Sequence, residues 1–440
     1  MSKDRSEIMT NRLSRRAVLA ALGTLPVSRI HWKASAQQVP DFETFLAQMA
    51  WSKPVIDEFL NPMEPNWATF DPELGYRHSN TVKKDGIDGS YCIYRMEHTG
   101  ERKRIHFAQQ PCRINTYGNS FTHCDQVSDG ETWQEYLAAH FGESIRNYGT
   151  GGYGVYQAYR RMLREESTSA SAPNVLFNIW IDDHRRSLMS SRWLHIRFFR
   201  DLILTRQETH YFHANPWCHV RLDLNSGELQ EFPNSHPDAK SLYLMCDREY
   251  LVERFRDDLY VQMEYAMAGG KPPKLEEMRR LAELLRMETR WDTPESTSES
   301  ATRLFRFSGM KASERIVQKV IDFATVRKKN ILFLVSYGSG EIVNVCEGKP
   351  RSDQPFVDYL RRSGIAFVDS LQKHQEDFGH YSIPPMQYVR RYYNGHYAPA
   401  GNHFFAFAIK DDLLKWLKPA PFTYRKDNPS MAEISAILAR

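Results

Sequence analysis

Two stretches of this chain alternate short apolar runs with amphipathic segments, and the stretch between them does not. Cys112–Tyr117 reads as a strand, Trp133–Phe141 as a helix stopped by Gly142, and Ser144–Tyr148 as a second strand. Val155–Arg164 has helical periodicity, and Asn174–Ile181 is an apolar strand running into Asp182-Asp183. The alternation resumes after residue 310. Ile316, Val317, Val320, Ile321 and Ala324 stripe a helix, and Ile331–Val335 is a continuous apolar strand. A helix over Phe356–Arg362, a strand over Ile365–Val368 and a last helix over Asn402–Leu417 follow. Strands and helices at this spacing predict the α/β class, a parallel sheet with helices on both faces in three layers.

The remaining segments are organised differently. Residues 37–60 predict an amphipathic helix through Phe42, Phe45, Leu46 and Met49, with a proline-rich break at Pro54, Pro62 and Pro65. A strand-rich section then runs from Asp71 to about residue 110, so 37–110 reads as an N-terminal embellishment beside the main domain. Residues 185–310 read as an insertion, with a hairpin signal at Leu224–Glu228 and helices near 247–266 and 272–289. The polar run Thr293–Ser300 predicts a surface loop. The main domain is therefore expected over 111–184 and 311–425, with a tail over 426–440.

Charge and cysteine usage narrow the classes. The formal net charge is +4, but residues 1–36 hold seven Lys/Arg against Asp4 and Glu7, leaving 51 basic and 52 acidic residues beyond them. That balance leaves no basic footprint for a nucleic-acid partner. Residues 1–36 read as an export signal: Ser14-Arg15-Arg16-Ala17-Val18-Leu19 resembles the twin-arginine signature, ahead of an apolar Ala17–Val27 and a small-residue site at Ala34-Ser35-Ala36. Eleven apolar positions fall short of the roughly 20 that span a bilayer. The expectation is an exported, periplasmic protein that uses the twin-arginine machinery and has no membrane span once processed. Six widely spaced cysteines leave disulfide pairing open, that of Cys112 and Cys124 included. His210, His213, Cys218 and His219 lack a tight ligand spacing and are read as ordinary surface, so no metal is expected.

Candidate chemistry lies at the strand ends. Tyr117-Gly118-Asn119-Ser120-Phe121-Thr122 places a serine on a turn straight after a strand, where open parallel sheets bind ligands. Asn394-Gly395-His396 precedes Pro399-Ala400-Gly401 and the last helix. A serine hydroxyl needs a base within hydrogen-bond reach to attack a carbonyl, and His396 is the candidate. Between them, Asn147-Tyr148-Gly149-Thr150-Gly151-Gly152-Tyr153-Gly154 has glycines that let backbone N–H groups approach an oxyanion.

In that order, with Glu131-Thr132-Trp133 between, these motifs resemble the SGNH, or GDSL-type, hydrolases over about forty consecutive residues from Gly118 to Gly154, and again at His396. The Asp71-Pro72-Glu73-Leu74-Gly75-Tyr76-Arg77 lead-in is similar to that of exported bacterial members. The resemblance implies a flavodoxin-like fold, Ser120 as nucleophile, His396 as base and an oxyanion held by the N–H groups of Ser120 and Gly152, with no cofactor. It further implies a serine esterase acting on a small acyl ester, such as an O-acetyl group of a glycan or envelope component. A polysaccharide O-acetyltransferase and a catalytically impaired glycan-binding protein are the alternatives.

Three positions depart from the pattern. Asn119 stands where an Asp is usual, Ile181 where an Asn would donate to the oxyanion, and Tyr393 or Asn394 where an Asp would orient the histidine. Losing one oxyanion donor costs about 10²–10³ in rate, and replacing the orienting Asp by Asn cost about 10⁴ in a serine protease. Asn394 takes the orienting position by sequence, with Asp182, Asp183 and Asp369 as candidate orienting acids. The side-chain amide of Asn119 or Asn178 is the candidate substitute donor.

Overall fold

The computed structural model describes residues 39–63, 65–192 and 215–438. The expected export segment 1–36, and His210 and His213, lie outside these. Five strands form one parallel sheet: β1 (Ile114–Tyr117), β2 (Arg146–Asn147), β3 (Asn174–Trp180), β4 (Asn330–Ser336) and β5 (Phe367–Asp369). Their spatial order is β5-β4-β3-β1-β2. The chain thus adds β2 to one side of β1 and β3 to the other, and the reversal opens a crevice at the carboxyl ends of β1 and β3. Strand β3 is buried along nearly its whole length, through Val175, Leu176, Phe177 and Ile179, as a strand covered by helices must be.

Helices flank this sheet. After β1 comes the single turn α1 (Ser120–His123), followed by α2 (Trp133–Phe141), α3 (Val155–Glu165), α4 (Pro294–Val326) and the last long helix α5 (Pro399–Trp416). The Thr132 side chain caps α2, and Gly142, at φ 66°, takes the left-handed position that stops it. Helix α5 begins three residues earlier than expected, because Pro399 suits the first helical turn. The mixed α/β class with a parallel sheet flanked by helices is what the alternation of segments predicted.

Three readings outside the sheet need correction. The single helix expected over 37–60 is, in its described part from residue 39, two helices, Phe42–Ala47 and Lys53–Leu60; Pro54 opens the second instead of ending the first. The helix expected near 247–266 is also two, Arg248–Phe255 and Leu259–Met267, because Asp258 caps the second and restarts the chain. The polar run Thr293–Ser300 is no loop. Thr293 forms a capping box with Ser296, Pro294 occupies the first turn, and the 33-residue α4 runs on unbroken across residue 310. The hairpin signal at Leu224–Glu228 does join an antiparallel pair, His219–Leu222 and Leu229–Phe232.

The N-terminal hairpins Ala68–Asp71/Gly75–His78 and Thr81–Lys83/Cys92–Tyr94 are not merely beside the sheet. The Tyr76 hydroxyl donates to the Gly151 carbonyl at 2.6 Å, and the Tyr153 hydroxyl donates to the Tyr76 carbonyl at 2.5 Å. Both bonds join residues some 75 positions apart, so the embellishment helps hold the glycine loop in place.

Candidate active site

Gly118 ends β1 under tight constraint. A β-carbon there would strike Thr122 Oγ1 and lie 2.7 Å from the Asn178 carbonyl oxygen, and its φ of 153° is a conformation other residues avoid. Asn119 then caps α1, its Oδ1 accepting from Phe121 N–H at 2.8 Å. The same amide donates from Nδ2 to Asp183 Oδ1 at 2.7 Å. Asn119 therefore fixes the turn against the end of β3, and its amide nitrogen is directed at Asp183 and not at Ser120. Asn178 Nδ2 likewise donates to Thr122 Oγ1 at 3.1 Å, beneath the turn. Both expected substitute donors serve the scaffold.

Ser120 is 7% exposed at the start of α1. Its Oγ lies 2.9 Å from His396 Nε2. His396 belongs to a two-residue strand, His396–Tyr397, that folds back on Tyr393–Asn394 around Gly395 at φ 89°. Gly395 is required for a second reason: a β-carbon there would sit 2.6 Å from Gln126 Oε1.

Gln126 is the residue the sequence reading missed. Its Oε1 accepts from the His396 main-chain N–H at 2.6 Å and lies 3.0 Å from His396 Nδ1. Because the main-chain N–H can only donate, the atom it meets is the amide oxygen, and the facing Nδ1 must then carry the ring proton. Nε2 is left as the acceptor for the Ser120 hydroxyl, the tautomer a general base needs. The other end of Gln126 is held as firmly. Its Nε2 donates to the Asp85 carbonyl at 3.1 Å, and its main-chain N–H donates to the Tyr94 hydroxyl at 2.7 Å.

The expected orienting groups lie elsewhere. Asn394 Nδ2 donates to the Asp85 carbonyl at 3.4 Å and does not meet the imidazole. Asp182 pairs with Arg185 and Arg186. Asp183 accepts from Asn119, from Trp180 N–H at 3.0 Å and from Arg186 at 3.1 Å, while burial pushes its pKa up to about 7. Asp369 pairs with Arg351 and caps the helix that follows it. The sequence offered Asn394, or an acid among Asp182, Asp183 and Asp369, to orient His396; the fold instead supplies the neutral amide of Gln126, six residues past the serine.

Charge reaches the base only through space. Burial lowers the His396 pKa below the usual histidine value, Asp125 and Asp85 oppose that shift, and Arg186 and Lys83 add to it. Lys83 sits over the rings of Trp67 at 3.7 Å and Tyr94 at 4.9 Å. Phe121 packs 5.0 Å from the His396 ring and stacks on Trp180 at 5.2 Å, giving the crevice an aromatic wall.

The glycine loop closes the other side. A β-carbon at Gly149 would strike the backbone of His123 and Thr122, and Thr150 N–H donates to the Gly118 carbonyl at 3.0 Å. His78 Nε2 accepts from Gly151 N–H at 2.8 Å, and its ring stacks on His123 at 3.8 Å. Burial holds both imidazoles well below the ordinary histidine pKa, so they remain neutral. Gly152 has φ 89°. The main-chain N–H groups of Ser120 and Gly152 have no hydrogen-bond partner among the described residues.

Cys112 and Cys124 are both free thiols, as are the other four cysteines. Cys218 and His219 are buried, the latter stacked on Phe232 at 5.2 Å. Among the described residues, no helix is long and apolar enough to cross a membrane. No protein-family model matches this chain, and no curated protein matches it at a significant level.

Proposed function

We propose that this protein is an exported serine ester hydrolase of the SGNH type, removing a small acyl group such as acetyl from a carbohydrate or envelope component. The 2.9 Å contact between Ser120 Oγ and His396 Nε2, with Nδ1 facing Gln126 Oε1, carries the reading. The strand order supports it, because the same order, with a ligand crevice beside the first strand, characterises flavodoxin-like sheets.

In the proposed reaction Ser120 Oγ forms a bond to the ester carbonyl carbon as its proton passes to His396 Nε2. The carbonyl electron pair moves onto oxygen, where the N–H groups of Ser120 and Gly152 receive it. Collapse of the tetrahedral intermediate breaks the bond to the alcohol, which takes the proton from His396. Water then enters by the same route and releases the acid. No step calls on a metal or organic cofactor.

Preference for a glycan is supported by Trp180, the partly exposed ring that stacks on buried Phe121 and offers a flat surface on which a sugar ring can pack. The test is covalent labelling of the folded protein by a fluorophosphonate probe, with p-nitrophenyl acetate turnover alongside. Labelling at Ser120, lost in Ser120→Ala together with turnover, is the expected result. A folded wild type that neither labels nor hydrolyses any ester would end this reading. Product analysis with an acylated donor and a glycan acceptor separates hydrolysis from acyl transfer.

A further inference from the structure

Arg192 is a half-buried cation that the proposed reaction does not use. Its Nε and Nη1 are both out of solvent and without a hydrogen-bond partner, while Tyr76 receives a bond from the guanidinium. The carboxylates nearest in charge, Asp182 and Asp183, are already paired with Arg185 and Arg186. Burial and the neighbouring Arg186 lower its pKa to about 10, which leaves it protonated at neutral pH. A desolvated cation with two unpartnered nitrogens and no carboxylate bonded to it among the described residues is costly to hold, and a bound anion relieves that cost.

Its position gives the cation a use. A β-carbon on Gly152 would collide with Arg192 Nη1 and with the Tyr76 hydroxyl oxygen, so the guanidinium lies directly against Gly152. The main-chain N–H of Gly152, like that of Ser120, has no hydrogen-bond partner among the described residues. Tyr76 is held by its bond to the Gly151 carbonyl, and burial pushes its pKa up to about 12, so it stays a neutral phenol and offers no competing negative charge.

We propose that Arg192 forms, with Gly152 N–H, an anion-binding pocket that receives the negative charge developing on the ester carbonyl oxygen. This rests on the esterase reading for its catalytic meaning, though the pocket itself does not. A charged donor here makes up for the apolar Ile181 at the end of β3. It differs from a backbone donor in acting also on anions that never react.

The experiment separates the two ideas by titrating methylphosphonate, a tetrahedral anion that cannot acylate Ser120, into folded protein by calorimetry. Wild type, Ser120→Ala, Arg192→Gln and Arg192→Lys are compared, with p-nitrophenyl acetate kinetics on each. Ser120→Ala should bind within about threefold of wild type and Arg192→Gln at least about tenfold more weakly, with Arg192→Lys between them. In kinetics Arg192→Gln should lower kcat by about 10²–10³ at little-changed KM, the mark of a donor engaged in the transition state. Arg192-dependent anion binding in a wild type that turns over no ester would sink the esterase reading and keep the pocket. Active wild type with Arg192→Gln equal to it in binding and kcat would overturn the pocket and keep the esterase. Absence of methylphosphonate binding in wild type would also overturn it. Should Arg192→Gln fail to fold, Arg192→Lys equal to wild type in affinity and kcat overturns the proposal, and weakened binding supports it.

Discussion

Gln126 Oε1 accepts from the main-chain N–H of His396 and faces Nδ1 of the same residue, so one amide oxygen sets both the backbone and the ring of the candidate base. The arrangement orients an imidazole with no charged partner bonded to it among the described residues. Asp85 holds the amide in turn through its carbonyl, and Gly395 makes room for it.

Replacing Gln126 by Ala should therefore lower kcat by roughly 10² or more, though by less than the about 10⁴ seen when a serine protease's imidazole is left in the wrong tautomer. KM for a small neutral ester should hardly move. A variant of unchanged kcat would show that Gln126 does not position the base. Gln126→Glu places a negative charge beside Nδ1, which raises the His396 pKa and moves the acidic limb of the rate profile to higher pH.

The rate profile of the wild type is itself informative. Burial lowers the His396 pKa, so the base stays deprotonated below the ordinary histidine value, and the acidic limb of kcat/KM should fall below pH 6.5. Asp125→Asn removes a charge that favours the imidazolium and should move the limb lower still. Lys83→Met removes a charge that opposes it and should move the limb up. Shifts in the same direction for both variants would contradict this electrostatic account.

Asp183 makes stability depend on pH in an unusual direction. Its folded pKa of about 7 lies above the ordinary 3.8, so folding disfavours the ionised form. The associated stability is present in full below about pH 4 and is lost as pH rises to about 7, a difference on the order of 4 kcal/mol. Urea unfolding from pH 4 to 8 should show the wild type losing stability relative to Asp183→Asn as pH increases. Parallel profiles for the two proteins would rule this out.

Gly149 tests how the glycine loop meets the turn that carries Ser120. A β-carbon there meets the backbone of His123 and Thr122, which no rotamer change can clear. Gly149→Ala should destabilise by about 1–3 kcal/mol or more in chemical denaturation, and Ser120 labelling should slow as the loop is displaced. Wild-type stability would mean that the loop is not seated as described.

Ser120 and His396 were legible in the chain because their signals are local: a glycine and a serine straight after an apolar strand, and a histidine just ahead of a proline-led helix. Gln126 was not. Its backbone is left-handed at φ 72°, no periodicity marks it, and its partner lies 270 positions away. Tyr76 and His78 were hidden for a similar reason, since only tertiary packing carries a hairpin near residue 77 to a loop near residue 151. Asn174–Ile181 and Ile331–Val335 were readable as strands from their apolar runs, whereas Thr293–Ser300 misled because a polar helix start and a surface loop share a composition. There the capping threonine and the proline after it were the better guide.

Helix α4 has a mechanical implication. At 33 residues it is a rod roughly 50 Å long. Midway along it, Gly309 comes so close to the backbone of His184 and Arg185 that a β-carbon there would lie 2.7 Å from the His184 carbonyl carbon, and Ser313 Oγ meets His184 Nδ1 at 2.8 Å. That contact rests on the turn bearing Asp182 and Asp183, the latter tethering Asn119 beside Ser120. The helix is thus a strut that bears at its midpoint on the floor of the crevice, against the same joint that holds the serine in line.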